Sequence, residues 1–235
     1  MKQIKRCITI FLLSLILLDV STADTAATIS SSAVEVLQTL GIITAAEFLN
    51  SGTITRRQGL KIAATIKCHG WYPIYSSQSQ IDFLHTYYTD IEDNTDDCNL
   101  VVMCTIQELL KGTYDDEGNL VANLDAALTY QEALTILDRV LFIENEEFVI
   151  AASGEYWWFD YAEKRGLINI TYNTPVYYNI SQIPPITLSN QYDAIPSDVF
   201  LELAYRTLYI PRIINTYGGP LQQYHIEEFI LGMDK

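Results

Sequence analysis

Arg56 is the first residue whose type and place suggest a task. It follows Thr55 at the start of an apolar-periodic run, in the first turn of an expected helix. A cation there faces the positive end of the helix dipole, so a ligand-binding role competes with that of a solvated surface arginine. Asp90 lies among turn residues, where a carboxylate lines a groove or caps backbone N–H groups. Trp157 and Trp158 are neighbours that can stack on sugar faces, or can divide between core and surface. Asp90, Glu92, Asp93, Asp96 and Asp97, and then the run Asp115 to Asn119, offer oxygen donors of the kind calcium takes. Neither has the alternating spacing of a twelve-residue calcium loop. Cys68, His69, His85, Cys98 and Cys104 are zinc-ligand types at spacings that fit no close paired-ligand pattern. The chain holds no G-x-S-x-G, H-E-x-x-H, phosphate-binding glycine loop or C-x-x-C. A carboxylate pair for glycoside hydrolysis would be invisible among so many acids. The expectation is a non-catalytic protein with no metal and no cofactor.

The chain has 235 residues, enough for one large domain or two small ones. Hydrophobic residues make up 49% and charged residues 18%, which suits a folded core and not a disordered chain. Acids outnumber bases 29 to 14, for a net charge of −15. Nucleic-acid binders need the opposite balance to displace counterions from phosphates. Tyr occurs 16 times against 8 Phe, which favours amphipathic contact surfaces.

Lys2, Lys5 and Arg6 precede an apolar run from Ile8 to Leu18, and Ser21-Thr22-Ala23 follows with small residues. That is the pattern of a secretory signal over 1–23. The run is too short to span a bilayer as a stable helix. Cleavage after Ala23 removes three bases and one acid, which takes −15 to −17. Cys68, Cys98 and Cys104 remain, an odd number, and no pairing follows from the sequence.

Three segments end in helices of similar design. Thr55 precedes Gln58 by three residues, and Thr129 precedes Glu132 likewise; both are capping-box spacings. Ser197 opens the third, with Val199, Phe200, Leu203, Ala204, Thr207 and Leu208 on one face. The helices are expected over 55–67, 129–141 and 197–209. A shorter helix precedes each and ends near Gly41, Gly112 and Gly166, residues suited to left-handed positions past a helix end. The stretches 70–86 and 87–99 read as connectors, and 213–235 as a tail with a short helix near 226–231. The pattern predicts a mostly α fold of three helix-loop-helix repeats, about 33–67, 87–142 and 155–211, in one domain over 24–212.

In this order the motifs resemble the S-layer homology family in three tandem copies. Leu40-Gly41-Ile42-Ile43 and Ile54-Thr55-Arg56-Arg57-Gln58 match the first copy. Tyr88-Thr89-Asp90-Ile91, Gly112 and Leu128 to Glu132 match the second. Ala162 to Leu167 and Ile195 to Phe200 match the third. The resemblance implies a pseudo-three-fold spindle around a central three-helix bundle. It implies an exported cell-surface protein, attached to the wall (S-layer) by secondary cell-wall polysaccharide that is often pyruvylated. The motif arginine would help line grooves between repeats, because a guanidinium forks two donors onto a carboxylate such as a pyruvyl ketal. Polysaccharide-binding residues would be Arg56, Asp90, Trp157 and Trp158. Only the first copy keeps the arginine; Tyr130 and Ser197 stand at that place in the others. The alternative is a surface assembly module that has lost polysaccharide binding and holds other surface proteins. Neither reading involves nucleic acid, or the membrane after signal cleavage.

Overall fold

A computed structural model describes residues 33–44, 52–68, 77–91, 96–141, 155–168, 183–210, 212–214 and 222–224. The expected export signal and the expected helix near 226–231 lie outside these residues. The described chain is mostly helical. The helices are α1 (33–39), α2 (Arg56–Lys67), α3 (Gln78–Tyr87), α4 (Asp96–Ile106), α5 (Tyr130–Leu141), α6 (Trp157–Lys164) and α7 (Ser197–Tyr209). Two small antiparallel ladders pair β1 (Thr113–Tyr114) with β2 (Leu120–Val121), and β3 (Arg212–Ile214) with β4 (Gln222–Tyr224).

The three capped helices form where the sequence places them, as α2, α5 and α7. Thr55 Oγ1 accepts from the Gln58 N–H at 3.3 Å, and Gln58 Oε1 accepts from the Thr55 N–H at 3.0 Å. Thr129 and Glu132 repeat the arrangement at 3.3 and 3.0 Å. Each box satisfies helix-end donors that would otherwise lack partners. α2 and α5 each bury a wide face, α7 is buried almost all round, and the three pack pairwise on one another. α4 packs on α2 and α3, and α6 on α5.

A closed ring of backbone hydrogen bonds joins the three helix starts. The Ile54 N–H donates to the Ile195 carbonyl (3.3 Å), Ile195 to Leu128 (2.8 Å), and Leu128 back to Ile54 (2.9 Å). All three side chains are fully buried. Isolated bridges Thr53–Pro196, Thr55–Ala127 and Thr129–Ala194 flank the ring. Further first-turn donors find carbonyls on a neighbouring connector: Arg56 donates to Ala126 (2.9 Å) and Tyr130 to Asp193 (3.1 Å). Loops between distant helices thus satisfy the N-terminal N–H groups. Five residues beyond each ring member stand Gly59, Ala133 and Phe200, all buried. A Cβ added to Gly59 would lie 2.7 Å from Leu128 Cδ2 and 3.5 Å from Phe200 Cζ. The missing side chain of Gly59 leaves space that Leu128 and the Phe200 ring fill.

The shorter helices end as three matching caps, with one correction. Past α1, Gly41 has φ +68°, and Ile42 N–H reaches the Leu37 carbonyl at 2.8 Å. Past α6, Gly166 has φ +78°, and Leu167 N–H reaches Ala162 at 2.8 Å. Past α4 the left-handed residue is Glu108 (φ +59°), with Leu109 N–H on Cys104 at 2.7 Å. The expectation that Gly112 ends this helix is wrong: it has φ +72° but lies four residues later, just before β1. The geometry is the Schellman cap in each case, and the second accepts a non-glycine at a conformational cost.

The reading of 70–86 and 87–99 as connectors is also corrected over the described residues, because α3 begins at Gln78 and α4 at Asp96. Ser77 and Gln80 form a third capping box, and Ile81 and Leu84 bury one narrow face. Among the described residues, Cys68, Cys98 and Cys104 form no disulfide.

Candidate functional site

The first turn of α2 carries Arg56 and Arg57 and no acid. Both cations would sit unfavourably at the positive end of the dipole. The tertiary structure supplies the missing negative charge. Arg57 forks onto Asp97 through Nε (2.7 Å) and Nη2 (2.6 Å), and also pairs with Asp125. These hydrogen bonds, that to Asp97 foremost, raise its already high pKa further. Arg56 is buried, with Nη1 on the Ala122 carbonyl at 2.9 Å and Nη2 on Glu132 Oε1. Glu132 therefore does two jobs, since its Oε2 is the acceptor of the α5 capping box.

Arg56 lines a groove of about 220 Å³. Its walls are α5 from Gln131 to Arg139 and the connector from Leu109 to Thr113. Glu132, Thr135, Ile136 and Arg139 share one face of α5 by helical spacing. Arg139 donates to the Leu109 carbonyl at 3.3 Å, and its burial lowers its pKa. Lys111 is exposed on the opposite wall. Three cations and one carboxylate therefore line this groove, in a chain whose net charge is −15. Such a surface attracts anions locally against the field of the whole molecule.

The other residues singled out from the sequence fall elsewhere. Asp90 caps a loop: its carboxylate accepts from the backbone N–H groups of Ala122 (2.8 Å) and Asn123 (2.7 Å). It does not line the groove, but it holds the peptide whose carbonyl anchors Arg56. Trp158 is only 2% exposed and sits edge-on to Phe159 at 5.8 Å, so its ring belongs to the core. Trp157 is half-buried against the same core. Tyr130, which follows the Thr129 cap as Arg56 follows Thr55, is buried, and Asp198 and Asp193 lie close enough to help burial raise its pKa. Two aspartates thus lie near the start of α5, where the start of α2 carries Arg56.

Asp115 organises its own turn by accepting from the N–H groups of Glu117 (3.0 Å) and Asn119 (2.7 Å). Among the described residues, no group of three or more His, Cys, Asp or Glu is placed to hold a metal ion. No described helix is long and apolar enough to cross a membrane.

Sequence reasoning missed Lys111 and Arg139, and took Glu132 only as a cap. Arg139 carries a readable signal, seven residues from Glu132 and so two turns along one face. Nothing local marks Lys111, which only the return of its connector brings to the groove. No family model matches the chain, and no curated protein matches it.

Proposed function

We propose that the protein is a non-catalytic, exported cell-surface protein that attaches to the cell wall by binding an acidic secondary polysaccharide. The cationic groove between the first and second units is the observation that carries this reading. An acidic polymer approaching a chain of net charge −15 needs a local patch of opposite sign, and this groove supplies one. The pyruvyl ketal that the S-layer homology resemblance implies is a small carboxylate of suitable charge.

The same reading takes the fold as three repeats in a pseudo-three-fold spindle. The ring of Ile54, Leu128 and Ile195 supports it, as do the matching caps at Gly41, Glu108 and Gly166. So does a long-range pair of bonds: Arg139 and Arg206 each lie eleven residues beyond their ring residue. Each donates to the carbonyl just past the preceding cap, Leu109 at 3.3 Å and Leu167 at 2.8 Å. Sites of this kind would be unequal in this chain, because Tyr130 and Ser197 bring no cation to the other two starts.

The test is co-sedimentation of the purified chain with isolated wall sacculi, before and after mild-acid removal of the secondary polymer. Wild type should pellet with intact walls, stay soluble with stripped ones, and bind less as Arg56→Ala. No binding to any wall preparation would sink the reading.

A second reading, a surface assembly module that holds other proteins, is favoured by a different observation. Phe83, Tyr87 and Ile106 are about half exposed and rim an apolar groove of about 280 Å³ between α3 and α4. The Phe83 and Tyr87 rings meet there with centroids 4.6 Å apart, tilted at 42°. Failure on walls, with loss of partner capture in Phe83→Ser, would favour it.

A further inference from the structure

Arg56 is the residue that the sequence offers as an anion clamp, yet the fold has already given it an anion. Its Nη2 is bonded to Glu132 and its Nη1 to the Ala122 carbonyl, and it is 7% exposed. A ligand carboxylate that sought Arg56 would have to displace a carboxylate held in place on its other oxygen. That oxygen, Glu132 Oε2, accepts from the Thr129 N–H at 3.0 Å, so the side chain is tethered at the head of α5. The other two cations of the groove differ. Among the described residues no carboxylate makes an ion pair with Lys111 or Arg139, although Glu108 and Asp138 lie within electrostatic reach of Arg139. Lys111 is exposed, and Arg139 spends one nitrogen on the Leu109 carbonyl.

We infer that Glu132 is a resident counter-anion that occupies the ligand place on Arg56, so that Lys111 and Arg139 read the charge of an incoming acidic saccharide. This rests on the wall-polymer reading and names how that groove is tuned. Arg56 becomes a positioning residue, which ties the connector at Ala122 to the head of α5. The carboxylate lowers the groove's affinity for anions, and taking away its charge should raise it.

The first unit shows that the change is compatible with the fold. At the corresponding place in α2, Gln58 makes the same capping bond to the Thr55 N–H at 3.0 Å that Glu132 makes to Thr129. Glu132→Gln can therefore keep the cap while removing the charge. Lys111→Gln alters an exposed side chain and should leave folding unchanged. Arg139→Lys keeps a cation where Arg139→Gln does not.

The experiment is titration calorimetry of the purified chain and these variants with a pyruvylated methyl hexoside, against the same hexoside without the ketal. Sacculus co-sedimentation runs in parallel, and thermal melts check that each variant folds. Glu132→Gln should bind the pyruvylated probe about tenfold tighter than wild type, the scale of one freed charge-assisted hydrogen bond. Lys111→Gln should bind about threefold more weakly or worse, with a shallower salt dependence, and Arg139→Lys should bind better than Arg139→Gln. Wild type bound to walls with Glu132→Gln equal or weaker overturns the inference and leaves the wall reading standing. Binding that appears only in Glu132→Gln supports the inference and sinks wall attachment for the native chain. Silence from both proteins overturns both.

Discussion

Asp90 and Arg56 grip the same residue from opposite sides. The Asp90 carboxylate accepts from the Ala122 N–H at 2.8 Å, and the Ala122 carbonyl accepts from Arg56 Nη1 at 2.9 Å. Asp90 also accepts from the Asn123 N–H at 2.7 Å, which shares a peptide with that carbonyl, so Ala122 transmits the position of an exposed loop carboxylate to buried Arg56. Asp90→Ala should lower stability by about 2 kcal/mol, the scale of charge-assisted hydrogen bonds discounted for exposure. Asp90→Asn keeps one acceptor and should lose roughly half as much. Urea denaturation of the three proteins measures this, and equal midpoints would remove Asp90 from the positioning chain.

Glu108 holds a left-handed conformation that Gly41 and Gly166 adopt at the matching caps. An L side chain pays about 1–2 kcal/mol there, and glycine does not. The gain is partly offset by the greater freedom of glycine in the unfolded chain. Glu108→Gly should stabilise the protein by about 0.5–1 kcal/mol, a rise in melting temperature of roughly 1–4 °C. A melting temperature below wild type would show that the Glu108 side chain outweighs its backbone strain.

Asp138 is fully buried in α5, and neither carboxylate oxygen has a hydrogen-bond partner among the described residues. Burial raises its pKa well above the ordinary Asp range, against the pull of Arg165 and Arg139. A carboxyl whose pKa is higher folded than unfolded adds stability at low pH. That stability fades as pH climbs from the ordinary Asp value through the raised one. Asp138→Asn should therefore be more stable than wild type at pH 8, by about 1–2 kcal/mol, with the difference shrinking towards pH 4. A constant difference between pH 4 and 8 would contradict the buried, neutral carboxyl.

Gly59 packs against Leu128 and Phe200 beside the ring. Phe200→Ala should cost about 3–5 kcal/mol, because Gly59 beside it has no side chain to fill the cavity. Gly59→Ala places a Cβ 2.7 Å from a buried Leu128 methyl. The overpacking of about 1–3 kcal/mol should exceed the helix gain of roughly 1 kcal/mol, leaving a net loss near 1 kcal/mol. Thermal melts check both. A stabilised Gly59→Ala would mean that Leu128 moves freely, against its full burial.

The sequence by itself determined the elements whose causes are local. Thr55–Gln58 and Thr129–Glu132 are three residues apart, so their capping boxes were readable, and the apolar stripes of α2, α5 and α7 placed those helices to within a residue. Gly41 and Gly166 marked two helix ends for the same reason. α3 was missed, although Ser77 and Gln80 carry the same spacing, because its apolar face is only Ile81 and Leu84. The second cap was misplaced because a left-handed glutamate gives no compositional signal. Only the tertiary structure decided what each polar residue does. Glu132 could be read as a cap but not as the partner of Arg56, 76 residues away. Lys111 reaches the groove through the path of its connector, and the ring of Ile54, Leu128 and Ile195 is made of backbone groups that every residue type shares. Charges and hydrogen bonds act through space over a few ångströms. The sequence specifies them only through the folded path that brings their owners together.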